Sequence, residues 1–155
     1  MGSDIARAGG QLDLGSAETG LAVLIEACER AVEEERVAEL PPAQMRALLT
    51  IEQAGSLNLS RLAEALGAKL SPASRLCDRM LARGLLSRDR SAASRREIVL
   101  VPTEAGRQLA EWVRSRRRAA IREVMQGMSP GGREALVQGL RELAADSFGL
   151  AAKAR

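Results

Sequence analysis

Two glycines and a Ser-Pro pair punctuate the stretch from Leu59 to Leu86, LSRLAEALGAKLSPASRLCDRMLARGLL, and this punctuation constrains the fold more than any other feature of the chain. A helix-turn-helix needs a small residue where two helices cross, a residue that tolerates left-handed backbone at the turn, and apolar anchors on both helices. Ala63 meets the first need and Gly67, four residues later, the second; Leu62, Leu66, Ala73 and Leu76 are the anchors. Ser71 is placed to cap the second helix, Pro72 to fix its first turn, and Gly84 to end it. The spacing predicts helices over 60–66 and 72–83. On the second, Ala73, Leu76, Cys77 and Met80 fall within about 100° of arc and form a core face. Ser74, Arg75, Asp78, Arg79 and Ala82 lie on the other side. Ser71, Ser74 and Arg75 at the N-terminal end are suited to a DNA major groove, with hydroxyls for phosphate or base edges and a guanidinium for guanine. A short amphipathic helix with a solvated face is the plainer alternative, and Arg79 beside Asp78 would not by itself exceed it.

Only after this segment does the period turn from helical to extended. Leu85 to Arg88 and Ile98 to Val101 are short β-prone runs, separated by the small, polar and basic residues Asp89 to Glu97. The pattern predicts a hairpin with a long basic tip. Arg88, Arg90, Arg95 and Arg96 are opposed there only by Asp89 and Glu97, and arginines on a thin β-tip are suited to a narrow minor groove.

The flanking segments are helical. Leu21 to Leu40 places Leu21, Leu24, Ile25, Cys28 and Val32 on one face. Pro41-Pro42 ends that helix and opens another to about Gln53. Thr103 caps a long helix reaching about Gly127, and Ser129-Pro130 starts a last one through about Ser147. The expected fold is mainly α with a small β-hairpin wing. Its parts are a flexible tail over 1–17, a first helix over 18–41, a winged helix-turn-helix over 42–102, helices over 103–150, and a short tail over 151–155. The outer helices are too apolar for so small a unit and call for a partner.

Composition narrows the chemistry. The 155 residues include no histidine and no tyrosine, and Trp112 and Phe148 are the only aromatics. Ser-His-Asp and Cys-His nucleophile pairs are therefore excluded, as are imidazole metal sites and aromatic platforms for single strands. Neither a phosphate loop nor a paired-cysteine cluster occurs, so the chain does not read as an enzyme and implies no cofactor or metal. Cys28 and Cys77 read as small buried hydrophobes, not as a disulfide framework or a redox switch. Charge is unevenly spread: residues 1–40 hold three arginines against nine carboxylates, whereas 81–120 hold ten against four. One surface suits a polyanion and another stands away from it. No apolar run is long enough to span a bilayer and no signal peptide is evident, so the expected location is cytoplasmic.

With these residues in view, the chain resembles the MarR family of bacterial winged-helix transcriptional regulators over about Leu21 to Leu150. The resemblance is carried by Gln44 in LPPAQMRALL, the helix-turn-helix, RGLL at 83–86, Arg96 in the wing, and Thr103-Glu104-Ala105-Gly106 after the second strand. It implies a homodimer, joined through its first and last helices, that binds a roughly palindromic duplex and represses by blocking promoter access. It places Arg75 at a base-reading position and Arg96 in the minor groove. The chain departs from the family pattern at two positions. Ser94 replaces an Asp whose carboxylate would orient Arg96, and Pro102 replaces a Leu, trimming a ladder donor.

Family members often take a small anionic or phenolic effector. On the long helix Arg116 falls within the apolar stripe of Leu109, Trp112, Val113, Ala120 and Val124, and an arginine there needs a partner. Two partners fit: an anionic effector beside Trp112, or a first-helix carboxylate such as Glu35. Arg114 and Arg118 lie on the outward face, where solvation is expected. A winged helix used for protein contact, without duplex selectivity, is the alternative function.

Overall fold

The structure is a computed structural model that describes residues 13–33, 40–91 and 97–153, with side chains as far as residue 145. In chain order the elements are α1 (Leu14–Glu33), α2 (Pro42–Ala54), α3 (Leu59–Ala65), α4 (Leu70–Ala82), β1 (Leu86–Arg90), β2 (Ile98–Pro102), α5 (Glu104–Met125) and α6 (Pro130–Lys153). The expected mainly helical winged helix-turn-helix is what forms. The chain divides into two compact units, Val32–Arg116 and Met1–Ala31 with Arg117–Arg155.

The core of the first unit joins α2, α3, α4 and the hairpin. Ala47, Leu48, Ile51, Leu62, Leu76, Cys77, Met80, Leu86, Leu100 and Ala110 pack into one buried cluster. Pro42 stands at the first position of α2, where its missing N–H costs nothing. Gly55, Gly67 and Gly84 all adopt positive φ, at 76°, 62° and 69°. The last two are the turn and the helix end expected from the sequence. β1 and β2 pair antiparallel, with Leu86 opposite Pro102, Arg88 opposite Leu100 and Arg90 opposite Ile98. Asp89 and Arg90, expected in the hairpin tip, are therefore ladder residues, and Ser91 N donates to Glu97 O at 2.9 Å to close the stem. Cross-strand pairing against Ile98 and Val99 outweighs their weak β-propensity.

Three helix starts differ from expectation. α1 begins at Leu14, inside the segment expected to be a tail, because Asp13 accepts from the N–H and hydroxyl of Ser16 and caps the first turn. α3 is capped by Asn58, whose side chain accepts from Arg61 N at 2.8 Å. α4 begins at Leu70 after extended Lys69, so Ser71 lies inside the helix and makes no capping bond. Pro72 fits this earlier start because the first-turn N–H groups have no intrahelical acceptor. The caps at Thr103 and Ser129 form as expected: Thr103 Oγ1 accepts from Gly106 N and Ser129 Oγ from Gly132 N, both at 3.1 Å.

In the second unit, α1 has no buried residue, and Leu21, Val23 and Ile25 are exposed along it. Its Cys28, expected to be buried, is half-buried, with Sγ 4.0 Å from the Arg117 carbonyl. α6 exposes Leu140 and Leu143.

Candidate nucleic-acid interface

α4 divides its faces as its sequence dictates. Ala73, Leu76, Cys77 and Met80 are buried, and burial pushes the Cys77 thiol pKa up, as suits a core residue. Ser71, Arg75, Asp78 and Arg79 are exposed, and Ser74 is half-buried. The helix-turn-helix is braced from α2, where the Arg46 guanidinium donates to the Leu66 carbonyl at 2.9 Å, just before the Gly67 turn.

The wing is tied to this unit at three points that the sequence alone did not reveal. Leu57, between α2 and α3, exchanges two backbone hydrogen bonds with Leu100 of β2, at 2.7 and 3.1 Å, acting as a one-residue third strand. Asn58 Nδ2 donates to the Glu97 carboxylate at the wing's base, so one side chain caps α3 and holds the hairpin. Arg88 of β1 donates to Asp78 Oδ1 of α4 at 2.9 Å. Arg88, expected among the hairpin arginines that meet DNA, is turned toward α4 by the strand register. Arg90 is exposed, while Arg95, Arg96 and Ser94 lie outside the described residues.

Along α5, Val113 and Ala120 are buried and Leu109, Trp112, Arg116 and Val124 are half-buried. Arg114, expected to be solvated, forms a partly buried ion pair with Glu52 of α2. The periodicity of α5 alone could not show this, because the partner is 62 residues away. Trp112 and Arg116 share one stretch of α5 but line neither of the two clefts found along α5 and α6, whose walls include Arg118, Arg122, Arg133 and Arg141. Glu35 lies outside the described residues. Among the described residues no group of acidic or cysteine side chains could hold a metal, and no helix is long and apolar enough to cross a membrane.

A helix-turn-helix with a hairpin pinned to its second helix defines the winged-helix class. Residues 40–98 match the MarR family model. The chain is 29% identical over 97 residues to the uncharacterized HTH-type transcriptional regulator YfiV of Bacillus subtilis, a match covering 63% of this chain and 61% of that protein. Among solved structures, RV1404 from Mycobacterium tuberculosis is similar at 27% identity and a TM-score of 0.64, over 85% of this chain and 87% of that one. A MarR family protein from Bacillus stearothermophilus shares the fold at 22% identity and a TM-score of 0.72, over 87% and 95% of the two chains. The resemblance read from the sequence is thus borne out over residues 40–98, which match the MarR family model and form a winged helix-turn-helix.

Proposed function

We propose that this chain is a sequence-specific, double-stranded DNA-binding transcriptional regulator, acting as a repressor by occupying a pseudo-palindromic operator as a homodimer. The observation that carries this reading is the exposed face of α4, with Ser71 and Arg75 at its N-terminal end, set beside a wing stem that is joined to α4 through Arg88 and Asp78 and exposes Arg90. In the proposed complex α4 enters the major groove, Arg75 reads a base edge, and Ser71, Ser74 and Arg79 hold phosphates or base edges. Arg90, Arg95 and Arg96 of the wing follow the adjacent minor groove.

The homodimer accounts for the apolar side chains that α1 and α6 leave in solvent. Leu21, at 53% exposed, and Leu143, at 65%, would be buried by a second copy. Two-fold symmetry then sets the recognition helices about one helical turn, ~34 Å, apart. A small anionic or phenolic effector, if one releases the operator, has its candidate site at Trp112 and Arg116. Titration of such compounds against the complex, with and without Arg116→Ala, tests that part alone, and an unchanged response in the variant removes it.

The decisive experiment is selection of random duplex DNA by the purified protein at two salt concentrations. Enrichment of a two-fold site with half-sites about 10 bp apart is the expected result. Steeply salt-dependent binding with no enriched site would mean that the arginines hold only phosphates. No binding at all would replace this reading with a protein-interaction module.

A further inference from the structure

Asp78 is the one carboxylate on the exposed face of α4, and its position is informative. At about 100° per residue it falls near the middle of that face, between Ser74 and Ala82, one turn beyond Arg75 and two beyond Ser71. A negative charge there opposes any approach of a phosphate backbone. Its partner is Arg88 of the wing stem, 2.9 Å away, with the two side chains 56% and 57% exposed. An ion pair so open to water contributes little to stability. The pair therefore matters chiefly for what it does to the charge available on this surface.

Resting on the DNA-binding reading above, we propose that Asp78 is a specificity-determining residue: by holding Arg88 against α4, it withholds one guanidinium from the phosphate backbone. Phosphate contacts add affinity for every sequence alike, whereas base contacts discriminate. A surface with one arginine neutralised binds random duplex less tightly and depends more on what Arg75 and its neighbours read. The pair also joins the recognition helix α4 to the wing stem.

The test compares wild type, Asp78→Asn, Arg88→Ala and the double variant on a mixed-sequence duplex about three helical turns long, across a salt series. Asn keeps the shape of Asp78 and removes its charge, and Asp78→Ser serves as a second neutral variant. Freeing Arg88 is expected to tighten binding at low salt about three- to tenfold and to steepen the slope of log K against log salt by about one, the value for one additional phosphate contact. In the Arg88→Ala background the same substitution should leave the slope unchanged. Thermal midpoints should move little across the set, which separates the effect from misfolding. Wild-type binding with an unchanged Asp78→Asn variant overturns the inference alone. A slope increase that persists in full without Arg88 also overturns it, since the carboxylate would then act without its partner. A wild-type chain that binds no duplex at low salt removes the DNA reading and this inference together.

Discussion

Gly106 lies in the first turn of α5, where an alanine would ordinarily strengthen the helix by at most about 0.5–1 kcal/mol. The tertiary structure reverses that sign. A Cβ at this position would lie 2.2 Å from the Leu85 carbonyl oxygen, 3.2 Å from the carbonyl carbon and 3.3 Å from Leu48 Cδ1. The first of these is inside van der Waals contact by at least about 1 Å. Nor can the carbonyl swing away freely, because it accepts from Thr103 N at 3.1 Å, and the Thr103 hydroxyl donates to Gly84 O at 2.6 Å beside it. Relief requires moving the start of α5 away from the turn before β1, and overpacking of this kind costs about 1–3 kcal/mol or more. Against the propensity gain, Gly106→Ala should destabilise the fold by about 1–3 kcal/mol, lowering the thermal midpoint by roughly 3–10 °C in a chain of this size. Far-UV circular dichroism during heating and urea titration measure both quantities, and the urea midpoint should fall with an unchanged m-value. Gly139→Ala is the control: a Cβ there meets nothing within 4 Å, so that variant should gain stability. A Gly106→Ala protein as stable as wild type, or more so, would refute the close-approach argument.

Asn58→Ala should cost about 1 kcal/mol or somewhat more, since it removes both the cap of α3 and the bond to Glu97, and a urea midpoint compared with that of Glu97→Gln would separate the two roles. Truncating fully buried Leu62 to Ala should cost about 2–5 kcal/mol, read by the same titration. Asp13 has its carboxyl held below its ordinary pKa of 3.8, chiefly by the side-chain hydrogen bond from Ser16. The cap therefore contributes above about pH 4 and is lost as pH falls through the lowered folded value, so helix content of α1 should drop in acid, and Asp13→Ala should abolish that acid dependence.

Most of the winged helix-turn-helix was legible in the chain because its cues are local. Gly67 and Gly84 mark positions where only positive φ closes the turn, and the buried and exposed faces of α4 follow from its period alone. Thr103 and Ser129 are caps that act on the next three residues. Local cues were also misread: Ser71-Pro72 looks like a helix start, yet extended Lys69 lets α4 begin at Leu70, and α1 begins at Leu14 inside the run read as a tail over 1–17.

What the sequence could not contain is which distant residues meet. Arg88 read as a DNA-facing hairpin arginine and Arg114 as a solvated one, but the first is turned to Asp78 by strand register and the second to Glu52 by the packing of helices far apart in the chain. Leu57 looks like a linker residue until β2 offers it an unsatisfied edge. Gly106 looks like a weak helix residue until the Leu85 carbonyl is placed against it. Periodicity and caps depend on neighbours three or four residues away and are written in the sequence itself. Pairing across 10, 43 or 62 residues depends on the closed fold, and there the tertiary structure alone decided which charges are held and which remain open to a partner.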